Sequence, residues 1–158
     1  WGLINLKGEI VIPFQYSSVS YFKEGLASVK LNDKYGYIDG QGKIIIPFIY
    51  DNAFEFSEGL ASVCLVYDSC GYINKAGETI VPFKFETNFG SEFCEGLAEV
   101  RQNKLCGFID TNGVLVVKIN YNSPYDYNNF SDGIGMLIDP KTKKRFYFNR
   151  NGTLFYED

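Results

Sequence analysis

The chain has 158 residues, a formal net charge of −4, a pI of about 4.9 and no histidine. Its length suffices for one domain burying roughly 70% of its unfolded surface, and its scattered lysines exclude the clustered basic face of a nucleic-acid binder. No apolar stretch approaches the roughly 18 residues of a membrane helix, so membrane insertion is not expected.

The chain begins at Trp1 rather than Met, which reads as a processed or excised piece and leaves the compartment open. With 12 Tyr, 14 Phe and 16 Gly, aromatic and β-branched residues broken by spaced glycines favour strands and tight turns. The first element is a short strand, B, at Trp1-Gly2-Leu3-Ile4. The turn Asn5-Leu6-Lys7-Gly8 follows, then strand C, Glu9 to Pro13, and an aromatic, Tyr16. Next comes Phe22-Lys23-Glu24-Gly25-Leu26-Ala27-Ser28-Val29, whose second half, continued by Lys30-Leu31, is strand A. Ala27, Val29 and Leu31 alternate with Ser28 and Lys30, so one face is expected to be buried and the other wetter. Asn32-Asp33, residues that tolerate positive φ, turn the chain into a second strand B, Tyr35-Gly36-Tyr37-Ile38.

From there the order repeats about every 35 residues, the mark of a repeat architecture. The A segment returns at Phe56 to Val63, Phe93 to Val100 and, weakly, Phe130 to Leu137. The B–C turn returns as Asp39 to Gly42, Asn74 to Gly77, Asp110 to Gly113 and Asn149 to Gly152. Asn or Asp opens a type I turn, and Gly42, Gly77 and Gly113 are expected at positive φ. Strand C returns at Lys43 to Pro47, Glu78 to Pro82 and Val114 to Lys118. Its unbroken apolar run suggests burial on both faces, and the proline is expected to end it. The strand-B glycines Gly2, Gly36, Gly71 and Gly107 suggest close approach of an aromatic ring or a neighbouring backbone. Ile4, Ile38, Ile73, Ile109 and Phe148 keep a constant offset from the turns and should be core.

These residues resemble the WG-repeat family, also described as KWG repeats, across the whole chain. Tyr35 to Val63 follows its pattern almost residue by residue: an aromatic-Gly-Tyr-Ile-Asp hairpin, Ile-Ile-Ile-Pro, Tyr-Asp, then Phe-x-Glu-Gly-Leu-Ala-x-Val. The signature Trp-Gly stands only at Trp1-Gly2. Tyr35, Cys70 and Cys106 hold the Trp position elsewhere, and Phe146 stands where the last glycine should be. The resemblance implies a bacterial-type module, usually part of larger proteins, with no catalytic motif to transfer.

The expected fold is all-β: tandem three-stranded antiparallel meanders in one repeat domain, residues 1–158. The units are approximately 1–34, 35–69, 70–105 and 106–144, with a capping hairpin at 145–158. Because the last unit has its own strand A while the first has none, an open array is favoured over a propeller-like ring.

Missing histidine removes the commonest general base and zinc ligand. Glu24, Glu58, Glu95 and Asp132 recur before the repeat glycine, and Asp39 and Asp110 open turns; both patterns speak for turn chemistry over catalysis. Dense Asp spacing for calcium and a Cys-x-x-Cys for zinc are both lacking, so no metal or other cofactor is expected. Cys64 should face Cys70 across the A–B hairpin, where free thiols in strand positions are preferred to a disulfide. Lys141, Lys143, Lys144 and Arg145, beside Pro140, read as a solvated hairpin loop. The function expected is non-enzymatic protein–protein interaction, with a carbohydrate- or cell-wall-binding module as the alternative. The contact candidates are Tyr121, Tyr125 and Tyr127 in the longest inter-strand loop, whose Tyr and Asn suit a binding surface, together with Trp1 and Tyr35.

Overall fold

The computed structural model describes residues 1–66, 68–86, 92–123 and 130–156. Among these there is no helix; the chain is a tandem array of small antiparallel meanders, and none of their sheets closes into a barrel. It divides into two compact units, residues 1–83 and 84–158.

The first unit opens with a two-stranded sheet, β1 (Leu3–Ile4) and β2 (Ile10–Ile12). The second sheet runs in chain order from β3 (Ser18–Val19) through β4 (Leu26–Leu31) and β5 (Lys34–Asp39) to β6 (Ile44–Tyr50). The third repeats that order with β7 (Asn52–Ala53), β8 (Leu60–Val66), β9 (Ser69–Asn74) and β10 (Thr79–Phe85). The second unit holds β11 (Leu97–Gln102), β12 (Leu105–Asp110) and β13 (Leu115–Tyr121) in one sheet. Its other sheet is β14 (Phe130–Ser131), β15 (Ile134–Ile138), β16 (Arg145–Asn149) and β17 (Leu154–Tyr156). To the expected A, B and C strands the structure adds a two-residue edge strand, β3, β7 or β14, paired with A.

Local chemistry fixes the turns. Gly8, Gly42, Gly77, Gly113 and Gly152 have φ between 75° and 82°. The opening Asn or Asp accepts two backbone N–H groups: Asp39 takes those of Gln41 and Lys43, and Asn74 those of Ala76 and Glu78. Asn32 and Asp33 have φ of 48° and 65°, as the A–B hairpin requires.

Strand C departs from expectation in two ways. It does not stop at proline: β6 runs through Pro47 and β10 through Pro82. C is the edge strand, so proline's missing N–H leaves no ladder bond unmade. Nor is C buried throughout: its exposure alternates, so only one of its faces lies in a core. Ile46 is 1% exposed and Ile44 51%.

The strand-B glycines are explained by backbone approach. Strand C bulges opposite them: Ile38 faces Ile44, Tyr37 faces Ile46, and Tyr35 faces Tyr50. A Cβ on Gly36 would lie 2.6 Å from the Ile46 carbonyl oxygen; on Gly71, 2.4 Å from that of Val81; on Gly107, 2.5 Å from that of Val117. In the last sheet Phe146 replaces the glycine, and β16 and β17 pair without a shift: Phe148 with Leu154, Tyr147 with Phe155, Phe146 with Tyr156. The bulge and the glycine are lost together.

A second exchange compensates in volume. Ala27, Ala61 and Ala98 stand opposite Ile38, Ile73 and Ile109. The fourth pair is Gly135 and Phe148, where a Cβ on the glycine would lie 2.1 Å from the phenyl ring. Ile38, Ile73, Ile109 and Phe148 are at most 1% exposed, as their offset predicts. Ile4, at the same offset, is 56% exposed. The expectation fails there: among the described residues the first sheet holds β1 and β2 alone, and the side chain is left in contact with solvent.

Sheets pack face to face within each unit. In the first, Ile12 and Tyr16 meet Val29 and Ile38; Leu26, Tyr37, Ile46 and Tyr50 then meet Phe56, Ala61, Val63 and Ile73. In the second, Phe108 and Val117 meet Phe130 and Leu137, with Phe148 4.6 Å from Phe108 between ring centroids.

Two of the recurrent acidic residues, Glu24 and Glu95, join neighbouring sheets. Glu24 has φ 51°, costly for a residue with a Cβ. Its carboxylate accepts the Gly59 N–H at 3.1 Å in the next A turn and pairs with Lys75 Nζ at 2.9 Å. Glu95 repeats the device, accepting N–H groups of Asp132 at 2.8 Å and Gly133 at 3.0 Å and pairing with Arg150 at 3.0 Å. The Lys75 ammonium, helped by the Gly59 and Glu58 N–H groups, holds the Glu24 carboxyl below its ordinary 4.5. Desolvation pushes Glu95 up, but the Asp132 N–H, Arg150 and the Gly133 N–H outweigh it and hold it low. Both carboxyls therefore bind protons more weakly folded than unfolded. Their contribution is present above the unfolded pKa and lost as pH falls through the folded one. We expect stability to decline below about pH 4.5, and a Glu24→Gln, Glu95→Gln variant to be less stable at neutral pH and to show a flatter decline. Parallel acid slopes in denaturant melts would remove these links from the acid response.

Candidate functional site

The clearest concavity in the described residues lies in the first unit, between the first two sheets. It is an apolar cavity of about 500 Å³ whose walls include Leu3, Ile12, Tyr16, Phe22, Val29 and Ile38. Repeat equivalence explains why it is open. Between the second and third sheets the matching space is filled by Leu26 of strand A and by Tyr37, whose ring meets Phe56 edge-on at 4.9 Å. Tyr37 Oη also donates to the Phe54 carbonyl at 2.7 Å, and burial, then the neighbouring Tyr50, raises its pKa. Among the described residues the first sheet holds only β1 and β2, and Leu3 takes the place of Tyr37.

At the mouth stand Trp1, 69% exposed, and Tyr21, 81% exposed, with Phe22 beside them. Glu55 contributes a carboxylate to the lining, and its Oε1 accepts the Tyr21 N–H at 3.2 Å.

Of the residues expected to make contacts, Trp1 alone lines this cavity. Tyr35 is half-buried against the core of the next sheet, with Lys30 Nζ 5.6 Å from its ring centre. Tyr121 ends β13 with its ring 5.9 Å from Phe146, half-buried against the second unit's core. Tyr125 and Tyr127 lie outside the described residues.

Cys64 and Cys70 face each other as predicted, 4.0 Å apart between Cα atoms, and are joined by a disulfide. That corrects the preference for free thiols: directly opposed antiparallel residues approach to about 4.5–5.5 Å, so register alone brings the sulfurs within bonding reach. Cys106 is buried, and burial, with the charge of Glu99, pushes its thiol up to about 12, leaving little nucleophilic thiolate near neutral pH. No group of three His, Cys, Asp or Glu suited to a metal occurs among the described residues.

One feature the sequence did not reveal is Glu99, fully buried where other repeats carry Ser28 and Ser62. Its carboxylate accepts Arg101 Nε and Ser123 Oγ, both at 2.9 Å. A strand-A position three residues past the repeat glycine gives no signal for such a pair, because Ser123 is 24 residues away. Arg101, Lys104 and Lys143 line a polar cavity of about 410 Å³ beside it. The basic run forms the β15–β16 turn, where Asp139 accepts the N–H groups of Lys141 and Thr142.

A family model described as WG containing repeat matches residues 1–35, 35–65, 71–106 and 107–136. No curated protein matches the chain.

Proposed function

The chain belongs to the WG-containing repeat family, and on that premise we propose that it is a non-enzymatic module that binds another protein. The observation that carries this reading is the open apolar cavity rimmed by Trp1, Tyr21 and Phe22. Contiguous exposed apolar surface of this kind marks interaction sites, and aromatic anchors dominate protein–protein binding. Absence of catalysis is supported by two features: there is no histidine, and Glu24, Glu95, Asp39 and Asp110 are engaged in turns and inter-sheet links.

A glycan site would want stacked aromatic faces among several hydrogen-bonding side chains. Here the lining is mostly hydrocarbon, and the Trp position passes to Cys in later repeats. The test sets affinity capture of proteins beside a glycan array, using the chain and its Leu3→Asp, Phe22→Asp variant with the fold checked by circular dichroism. A captured protein lost by at least about tenfold in the variant supports the reading. Saturable sugar binding abolished by Trp1→Ala, with no such protein, would replace it with the carbohydrate module.

A further inference from the structure

We propose that the polar cavity of the second unit takes a phosphate monoester, its phosphoryl group on Arg101, Lys104 and Lys143 and its organic part against Cys106 and Ile138. The proposal draws on the second unit alone and does not rest on the protein-binding reading. Three cations line the cavity. The carboxylate beside them, Glu99, accepts Arg101 Nε and Ser123 Oγ, so two positive charges are left over. Glu86 and Asp139 lie near in the chain, but their carboxylates accept turn N–H groups, of Asn103 and Lys104 and of Lys141 and Thr142. Among the described residues neither lines the cavity, and no carboxylate pairs with Lys104 or Lys143. A phosphate monoester carries about 1.5–2 negative charges at neutral pH, which matches that surplus; a single carboxylate ligand would leave half of it unbalanced.

Comparison with the second sheet shows that the surplus is peculiar to this place. There Lys30 stands opposite Tyr35, with Nζ 5.6 Å from the ring centre. Lys30 also pairs with Asp33 at 3.4 Å, and Lys34 pairs with Asp51. In the sheet of β11, β12 and β13 the same cross-strand pair is Arg101 and Cys106, so a small thiol forms the wall where a ring would stand. Lys104 takes the place of Asp33 in the A–B turn, with φ of 64° against 65°, and reverses its charge. Asn122 follows Tyr121 as Asp51 follows Tyr50, and an amide replaces the carboxylate. Lys143, at φ 62° in the β15–β16 turn, adds a cation from the next hairpin. Arg101 Nε is held at 2.9 Å by the fully buried Glu99, so the guanidinium meets a ligand with its orientation already set. The volume, about 410 Å³, is that of a small-ligand site and exceeds what one inorganic ion fills.

Calorimetric titration of the chain at low salt tests this. The probes are phenyl phosphate as a small ester, a phosphoserine tripeptide as a polypeptide source, and inorganic phosphate and phenol as controls. Saturable binding of at least one ester is expected, with inorganic phosphate at least about tenfold weaker and phenol silent. The Lys104→Gln, Lys143→Gln variant should weaken the ester by about tenfold or more. Both lysines are exposed on turns, so the fold should stand, and circular dichroism checks it. A Lys7→Gln, Lys43→Gln variant makes the same charge change at exposed positions of the first unit and should bind as the parent does.

Unchanged affinity in the Lys104, Lys143 variant, or an equal loss in both variants, overturns the site, as does an affinity weaker than about 10 mM for both esters. Inorganic phosphate binding as tightly as the esters overturns the monoester assignment. Tighter binding of the tripeptide upholds the site and gives it a phosphorylated polypeptide; tighter binding of phenyl phosphate upholds it with a small molecule. The Leu3→Asp, Phe22→Asp variant should bind the ester unchanged, so failure of the protein-binding reading and failure of this site are told apart.

Discussion

Replacing Ile73 by alanine should cost about 2–5 kcal/mol, while the same change at Ile4 should cost close to nothing. Both residues hold the same place in the repeat, one step before the Asn or Asp that opens the B–C turn. They differ in what the array sets against them. Ile73 is fully buried opposite Ala61, in the core that Tyr37, Ile46 and Phe56 share. Truncation there removes transfer free energy and leaves a void that rigid sheets cannot collapse to fill. Ile4 has no cross-strand partner from an A strand and is mostly in water, so its methyl groups are already solvated. Denaturant melts of the two variants measure the difference directly. A loss below about half a kcal/mol at Ile73 would mean that the faces of strand B are assigned wrongly. A large loss at Ile4 would mean that the outer face of β1 is covered in solution.

The contrast between these two isoleucines also shows what the sequence could and could not convey. Features set within one repeat were legible: the Asn/Asp-x-x-Gly turns, the A–B register and the burial of Ile38, Ile73 and Ile109. Each depends on residues a few positions apart, and repetition separates such signals from chance. Features set between repeats were not. Glu24 was readable as part of a turn, but its partners, Gly59 and Lys75, lie in the next sheet, and no local spacing encodes that link. Pro47 was taken as a stop because proline breaks ladders, yet position in the sheet decides whether a ladder bond is at stake, and C is the edge. Two-residue strands such as β3 and β7 are too short to carry an alternation. The cavity was the least legible feature. In it Leu3 stands where the next sheet has the packed Tyr37, a substitution that is unremarkable until the packed counterpart is seen. Tyr35 and Tyr121 were expected as contacts for their chemistry; that their rings also pack half-buried against cores was not legible from local spacing.

Substituting alanine for Gly36 should destabilise the protein by about 1–3 kcal/mol or more, although only one methyl group is added. Gly36 has no positive φ, so backbone strain is not the cause; the cause is the approach of strand C. A Cβ would sit 2.6 Å from the Ile46 carbonyl oxygen and 2.9 Å from the Pro47 carbonyl carbon. These are backbone atoms, so no rotamer change can relieve the overlap. The bulge would have to open, and opening it would move Tyr50 away from its place opposite Tyr35 and out of the core it shares with Phe56 and Phe83. Gly40, four residues on, is the control. Nothing lies within 4 Å of where its Cβ would be, so Gly40→Ala should be neutral or stabilise by about 0.4–1 kcal/mol through reduced unfolded-state entropy. The last sheet shows the alternative solution, in which Phe146 fills the glycine position and β17 pairs without a bulge. That solution needs the whole of strand C rebuilt, which a single substitution does not supply. Matched denaturant melts of Gly36→Ala and Gly40→Ala decide the point. If the two variants lose equally little, the bulge is soft and the recurrent glycine needs another explanation.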